Sequence, residues 1–481
     1  MFKKILSCAV IAAMLLSMAV TLTAFADDSV SVWDGMVVGE TGGFGWFQNT
    51  PEVQNIIHAG SGTLHIDSAA KLAALALCVG RTSAYAGYTV DELKLAGVTV
   101  SLDTDIDLNG HAWSPIASFG NGAPFLGTFE GNGHTIYGMA NTPTDTDGLF
   151  ANNRNTNGKK YFGLIGFLGG TVRNVKIKNA SWTYSGNISM PFGGCIAAAL
   201  ADWNANSYQP VIDNCAVENC TFTVNNTNAS PHAAHGFAGI VGSVFNGSIT
   251  NCYVKDFTID VSGSSTVPAY CEGIANVNRC QNKAKVWDIK YNFMLRSKLI
   301  TADGEGELPF MYYSQGANYS YADDGSNLNC TDGGRVSGST YPNLVENEDG
   351  LKNYTLYRRE NSAFYSEGAG KPVILKWEAN VSGLTVDYDL DLEKVFAKAN
   401  FAKAENGSML ILAYYDIVNG NEILRSVDIH TYNKASEFNQ TVAAEISAPE
   451  FDDATQIAKA FVINPNLAPY LEPVSIGGEQ E

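Results

Sequence analysis

Positive charge is scarce in this chain. Its 481 residues carry 30 Lys and Arg against 49 Asp and Glu, a formal net charge of -19, and no run of basic residues is long enough to build the surface that a polyanion needs. Nucleic acid is therefore not an expected partner. Metal-ligand spacing is missing too: no CxxC pair occurs and the seven histidines are scattered, so neither a zinc site nor any cofactor is expected. Past the N-terminal leader no stretch approaches the ~20 consecutive apolar residues of a membrane-spanning helix, and residues 477–481 offer no hydrophobic anchor tail. Prolines number only 15 against 47 glycines, without the strict period of collagen. Charged residues make up 16% and hydrophobic ones 45%, a balance too apolar for a disordered chain.

What is present begins with an address. Lys3 and Lys4, an apolar run over residues 5–20 and Ala24-Phe25-Ala26 as a small-x-small cleavage site make residues 1–26 read as a secretory signal. Ile5-Leu6-Ser7-Cys8 loosely fits a lipid-attachment box, but almost no apolar segment precedes it. The expected product is soluble, secreted, and extracellular or associated with a cell surface. An even number of cysteines remains after cleavage, which permits disulfides outside the cell.

An internal repeat organises the middle of the chain. Phe162-Gly163-Leu164-Ile165-Gly166, Phe192-Gly193-Gly194-Cys195-Ile196, Phe237-Ala238-Gly239-Ile240-Val241-Gly242 and Cys271-Glu272-Gly273-Ile274-Ala275 align, and each precedes an Asn-centred segment, at residues 172–179, 212–219, 249–256 and 279–286. Within a unit, Val175 and Ile177 alternate with Lys176 and Lys178, the period of a strand with one buried face. Such units cannot bury their apolar side alone, so they must stack. The expected fold is all-β: a right-handed parallel β-helix over residues 27–377. Asn174, Asn214, Asn251 and Asn282 are expected at one corner of successive coils, as a ladder of amides bonded to each other and to turn backbone. Cys215 and Cys252 take the position of Val175. They form either a column of small apolar side chains or, with coils about 4.8 Å apart, a bridge.

Residues 68–79 have helical spacing with Ser68 as N-cap, making an N-terminal capping helix over the open end of the solenoid. Residues 99–109 read as a strand, and 125–139 as two short strands around the turn Gly131-Asn132-Gly133. Residues 287–370 become irregular, the last coils plus loops. Beyond Pro372, strands are expected at 384–390, 409–417, 422–432, 440–446 and 458–464, giving a small antiparallel β-sandwich domain over residues 378–481.

Several blocks in order resemble the secreted bacterial β-helix proteins with GLUG-type repeats. They are Trp33-Asp34-Gly35, the helix at 68–76, Leu102-Asp103-Thr104-Asp105-Ile106-Asp107-Leu108-Asn109-Gly110 with Trp113-Ser114-Pro115-Ile116, the block at 125–136, and Gly148-Leu149-Phe150. Lys371-Pro372-Val373-Ile374-Leu375-Lys376-Trp377 is similar to the family's closing segment, and Lys459-Ala460-Phe461-Val462 with Pro469 looks like the end of a β-sandwich module of secreted proteins. The resemblance implies a surface or secreted protein with adhesion or carbohydrate contact, and brings no shared catalytic residues. Two departures are visible: Ala117 stands where the family has Gly, and residues 39–66 fit the pattern loosely.

Candidate chemistry is thin. Asp103, Asp105 and Asp107 share one strand face and are weak metal candidates. The EF-hand pattern fails, because Leu108 stands where Gly is required and Ser114 where a bidentate Glu belongs. Asp145, Asp147, Asp323 and Asp324 superficially match the carboxylates of pectin-cleaving β-helix enzymes, but no Gly-His-Gly or Arg-x-Lys segment follows. His134, His232 and His235 read as turn and loop residues. Aromatic side chains that could stack on sugar rings are Trp182, Trp203, Tyr208 and Tyr253. The reading is a non-enzymatic protein that binds a polysaccharide or cell-surface ligand through the β-helix face. The alternatives are a polysaccharide lyase or glycoside hydrolase on the same solenoid, or a structural spacer of a surface assembly.

Overall fold

A computed structural model describes residues 30–35, 43–118, 123–140, 161–186, 191–200, 208–227, 236–264, 271–277, 287–308, 311–313, 328–330, 344–345, 349, 352, 355–358, 362–366, 371–433 and 440–478. Residues 1–26, read from sequence as a leader, lie outside them. Two compact units result, one spanning Asp28–Leu375 and one containing Lys376–Glu481.

The first unit is a parallel β-solenoid of about four turns. Each turn threads five short strands, numbered here as faces I to V. In the first coil they are Tyr161–Phe162, Ile165–Leu168, Thr171–Arg173, Lys176–Lys178 and Ser181–Gly186. The second coil repeats them as Phe192–Gly194, Ala197–Leu200, Val211–Asp213, Ala216–Glu218 and Thr221–Asn226. The third runs Gly236–Ala238, Val241–Val244, Gly247–Thr250, Tyr253–Lys255 and Thr258–Asp260, and the fourth Cys271–Glu272, Ala275–Val277, Trp287–Lys290, Phe293–Leu295 and Lys298–Thr301. Like faces pair in parallel from coil to coil.

Left-handed residues keep these strands short. Asn174 and Asn179 sit at φ 56° and 55°, Asn214 and Asn219 at 56° and 53°, Asn251 and Asp256 at 57° and 51°. Few side chains other than Asn and Asp accept this conformation, so each such pair bends the chain twice, from face III to IV and from IV to V. The residue after each bend turns inward and is buried: Val175 and Ala180, Cys215 and Cys220, Cys252 and Phe257.

Side-chain amides climb the corners as the sequence indicates. Asn174 donates to Oε1 of Glu130 at 2.8 Å, and Asn214 to Oδ1 of Asn174 at 2.6 Å. The third rung departs, since Asn251 donates to Oδ1 of Asp213 at 2.6 Å. The fourth is corrected. Asn282 lies outside the described residues, and backbone pairing of Thr250 with Lys290 and of Tyr253 with Phe293 stacks Tyr291, at φ 59°, on Asn251. A second ladder runs beside the first, where Asn219 donates to Asn179 at 2.8 Å and Arg296 reaches Asp256 with two bonds of 2.7 and 2.8 Å.

Inside the coils, Trp182 stacks on Phe222 with ring centroids 4.7 Å apart. Cys215 and Cys252 hold free, buried thiols, each donating to the carbonyl two residues back, at 3.2 and 3.0 Å. They fill the coil as a column of small side chains.

At the N-terminal end, Ala69–Cys78 is a helix whose Ser68 hydroxyl accepts from the Lys71 amide, and Leu72, Ala73, Ala74, Leu75, Ala76, Leu77 and Cys78 are buried in the solenoid core. Two further helices, Gly43–Asn49 and Pro51–Ala59, occupy the loosely matching stretch. Their signals were Pro51 at the first turn and the left-handed Gly60 after the last. The expected strand at 99–109 is broken into Val98–Leu102 on face III and Ile106–Asp107 on face IV. Likewise Thr128–Glu130 and Thr135–Tyr137 join different parallel ladders, so the turn between them is a solenoid corner rather than a hairpin. Ala117, where the GLUG-type pattern has Gly, adopts φ 56°.

The second unit has antiparallel sheets of three and four strands. Val381–Asp389, Lys394–Phe401 and Gln440–Ser447 make one, and Asn421–Thr431, Met409–Val418, Gln456–Ile463 and Val474–Gly477 the other. Val395, Leu412, Tyr414, Val442 and Val462 fill one buried cluster from both sheets. Lys394–Phe401 and Val474–Gly477 go beyond the strands read from sequence. In the former, Lys and Ala favour helix, but Val395, Ala397, Ala399 and Phe401 alternate inward.

Candidate functional site

A binding surface on a solenoid is built from the side chains that point away from the coil, so each face is judged by what its outward rows carry. Faces I and II close on themselves. A side chain begun at Gly236 would lie 2.0 Å from the Gly242 carbonyl oxygen, and one begun at Gly242 only 2.6 Å from that of Gly193. Glycine is required there because the two outward backbones touch, leaving a crease between them. In the first two coils aromatic rings fill it: Tyr161 stacks on Phe192 and meets Phe167 edge-on, in a cluster separate from the main core.

Face IV carries charge and rings. Lys176 reaches Tyr253 Oη at 3.1 Å, over Ala216 of the intervening coil. Glu218 accepts from Lys178 at 2.8 Å and pairs with Lys176. Burial pushes the Glu218 carboxyl up, yet the hydrogen bonds and charges of the two lysines outweigh it and bring its pKa down to about 2. Further along, Tyr253 stacks on Phe293 at 5.2 Å, Phe364 packs edge-on against Phe293, and Lys255 donates to the Val373 carbonyl at 2.7 Å. The segment around Phe364 and Val373 thus covers this end of the face.

Of the aromatic candidates, Trp182 and Tyr253 are buried and offer no ring to a ligand. Trp182 points into the coil because its neighbours Ser181 and Thr183 take the outward parity of face V, whereas Tyr253 points outward and is covered. Tyr208 is half-buried, and its carbonyl accepts from Asn246 at 2.7 Å. Trp203 lies outside the described residues, as do Asp145, Asp147, Asp323, Asp324, His232 and His235.

The acidic trio does not converge. Asp103 pairs with His65 at 2.9 Å, Asp105 with His134 at 3.0 Å and with the Thr135 amide at 2.9 Å, and Asp107 accepts from its own turn at Asn109 at 2.7 Å. The corner between Leu102 and Ile106 takes them off a common strand face. Among the described residues no group of His, Cys, Asp and Glu is arranged to hold a metal ion, and no helix is long and apolar enough to cross a membrane.

Face V is different. Strands Ser181–Gly186, Thr221–Asn226 and Thr258–Asp260 pair in strict register, with Ser181, Thr221 and Thr258 in one outward row and Thr183, Thr223 and Asp260 in the next. Ser185 and Asn225 start a third, bonded at 3.3 Å. All of these side chains reach solvent. Rows along the strand repeat at about 6.6 Å and coils at about 4.8 Å, so the first two coils present a lattice of small polar side chains, which Thr258 and Asp260 extend in the third coil and Lys298 and Ile300 end in the fourth. Face III carries a comparable row, Thr63, Thr99, Thr128 and Thr171, but beside it runs an ionic one with Arg173 bound to Glu130. Sequence reading favoured the large rings and passed over these small residues. Their signal was the alternation Ser181-Trp182-Thr183-Tyr184-Ser185, repeated as Thr221-Phe222-Thr223-Val224-Asn225.

Comparison with family models, curated proteins and solved structures found no match to this chain.

Proposed function

We propose that this is a secreted or cell-surface protein, without catalytic activity, that binds a polysaccharide along face V. The observation that carries the reading is the registered hydroxyl lattice of Ser181, Thr183, Thr221, Thr223 and Thr258. Hydroxyls donate and accept, as sugar hydroxyls do, and the parallel ladder holds them rigid, so little side-chain entropy is lost on contact. A glycan repeats along its length as the lattice does, so many weak contacts add in one chain. In the first two coils these rows carry no charge, which favours a neutral glycan. The leader at 1–26 and the resemblance to GLUG-type proteins support export and surface contact.

The test is co-sedimentation of the mature protein with a panel of insoluble neutral polysaccharides. Thr221→Val with Thr223→Val keeps shape and strand preference but removes two hydroxyls. Binding to at least one glycan, weakened at least about tenfold in the double variant at unchanged melting temperature, supports the proposal. Equal binding by both proteins, or none to any glycan, refutes it. New reducing ends in the supernatant would move the assignment to a hydrolase or lyase.

A further inference from the structure

The crease between faces I and II changes character along the solenoid. Its outward row on face II runs Phe167, Ala199, Ser243 and then Asn276, where a bulge sets two residues of the third coil against one of the fourth. On face I, Gly194 and Ala238 precede Glu272 in register. Rings and small residues thus give way to a carboxyl and an amide in the fourth coil. Glu272 is 3% exposed and Asn276 1%. Glu272 Oε2 and both polar atoms of the Asn276 amide lack a hydrogen-bond partner. Nothing cationic among the described residues compensates the carboxyl, whose pKa burial alone drives upward.

Orphaned oxygens of this kind are costly, and buried carboxylates are normally paired or bound to a metal. A second buried amide of this coil finds its partners. Asn292, fully buried in the same coil, accepts from the Cys252 amide and donates to the Ile249 carbonyl, both at 2.9 Å. We propose that Glu272 and Asn276 form an oxygen-donor site for a hard divalent cation of the calcium type at the fourth-coil end of the crease. The strands that carry them, Cys271–Glu272 and Ala275–Val277, are consecutive and pack together. Calcium takes carboxylate, amide and backbone carbonyl oxygens together with water, and a metal-bound water can accept from the amide nitrogen. The cation supplies the charge that the carboxylate lacks.

The experiment is calorimetric titration of the EDTA-dialysed mature protein with calcium chloride, with melting followed in parallel. The wild type should bind and melt higher with calcium. Glu272→Gln preserves shape without the charge. It should fold, melt no lower than the wild type in EDTA, and bind calcium at least about tenfold more weakly. Asn276→Asp adds a charged ligand and should bind more tightly. Equal calcium response in all three proteins, or no binding by the wild type, would overturn the site.

Discussion

Asn214 donates its side-chain amide to Asn174 at 2.6 Å, one coil below, and both residues hold φ 56°. The bond and the backbone conformation are separate contributions, and substitution can tell them apart. Asn214→Gly loses the bond, worth about 1 kcal/mol, and loosens the unfolded chain while leaving the left-handed corner unstrained, whereas Asn214→Leu loses the bond and adds about 1–2 kcal/mol for a branched residue forced left-handed. Urea unfolding should therefore rank the wild type first, Gly second and Leu last. Equal midpoints for the two variants would show that the corner conformation carries no cost.

The buried stack of Trp182 on Phe222 ties the first coil to the second. Trp182→Ala should cost about 3–5 kcal/mol and abolish near-ultraviolet ellipticity from this ring. A variant that keeps wild-type stability would place Trp182 outside the core.

Glu218 carries the pH dependence of face IV. Its carboxyl is held at about 2, below the 4.5 of an ordinary Glu, by Lys176 and Lys178 against the opposing effect of burial. A carboxyl with a depressed folded pKa contributes stability that is fully present above its unfolded value and is lost as pH falls through the folded one. The gap in melting temperature between wild type and Glu218→Gln should thus be constant above about pH 5 and close toward pH 2. A gap independent of pH over that range would show that the lysines do not hold the carboxylate.

Cys78, Cys195, Cys215, Cys220, Cys252 and Cys271 are free and buried. Burial pushes the Cys78 thiol up to about 12 and that of Cys252 well above its ordinary value, so thiolate is scarce as well as sealed. Alkylation followed by peptide mass analysis should leave all six unmodified in the native protein and label them in denaturant. Labelling of Cys215 or Cys252 before unfolding would mean that the coil is open.

Much of the fold is written locally. The alternation around Val175 and Ile177, and asparagines recurring at bends, determine where strands run and where they stop, because side-chain parity and left-handed backbone are properties of a few adjacent residues. The same pattern at five-residue spacing, Asn174 with Asn179 and Asn214 with Asn219, was available for the second corner ladder as well. Composition and spacing likewise kept the acidic trio from resembling an EF-hand, and the structure gives each carboxylate a different partner.

What the sequence by itself determined is therefore the kind of object: short one-sided strands, closed by asparagine corners, that must stack. Only the tertiary structure decided what each outward side chain meets. Lys176 meets Tyr253 across 77 residues, and Lys255 meets the Val373 carbonyl across 118. Tyr291 took the rung expected of Asn282, Tyr253 was covered, and Glu272 was buried with an orphaned oxygen. Such contacts depend on the register between coils, set by backbone pairing over whole turns, and no window of neighbouring residues contains that information.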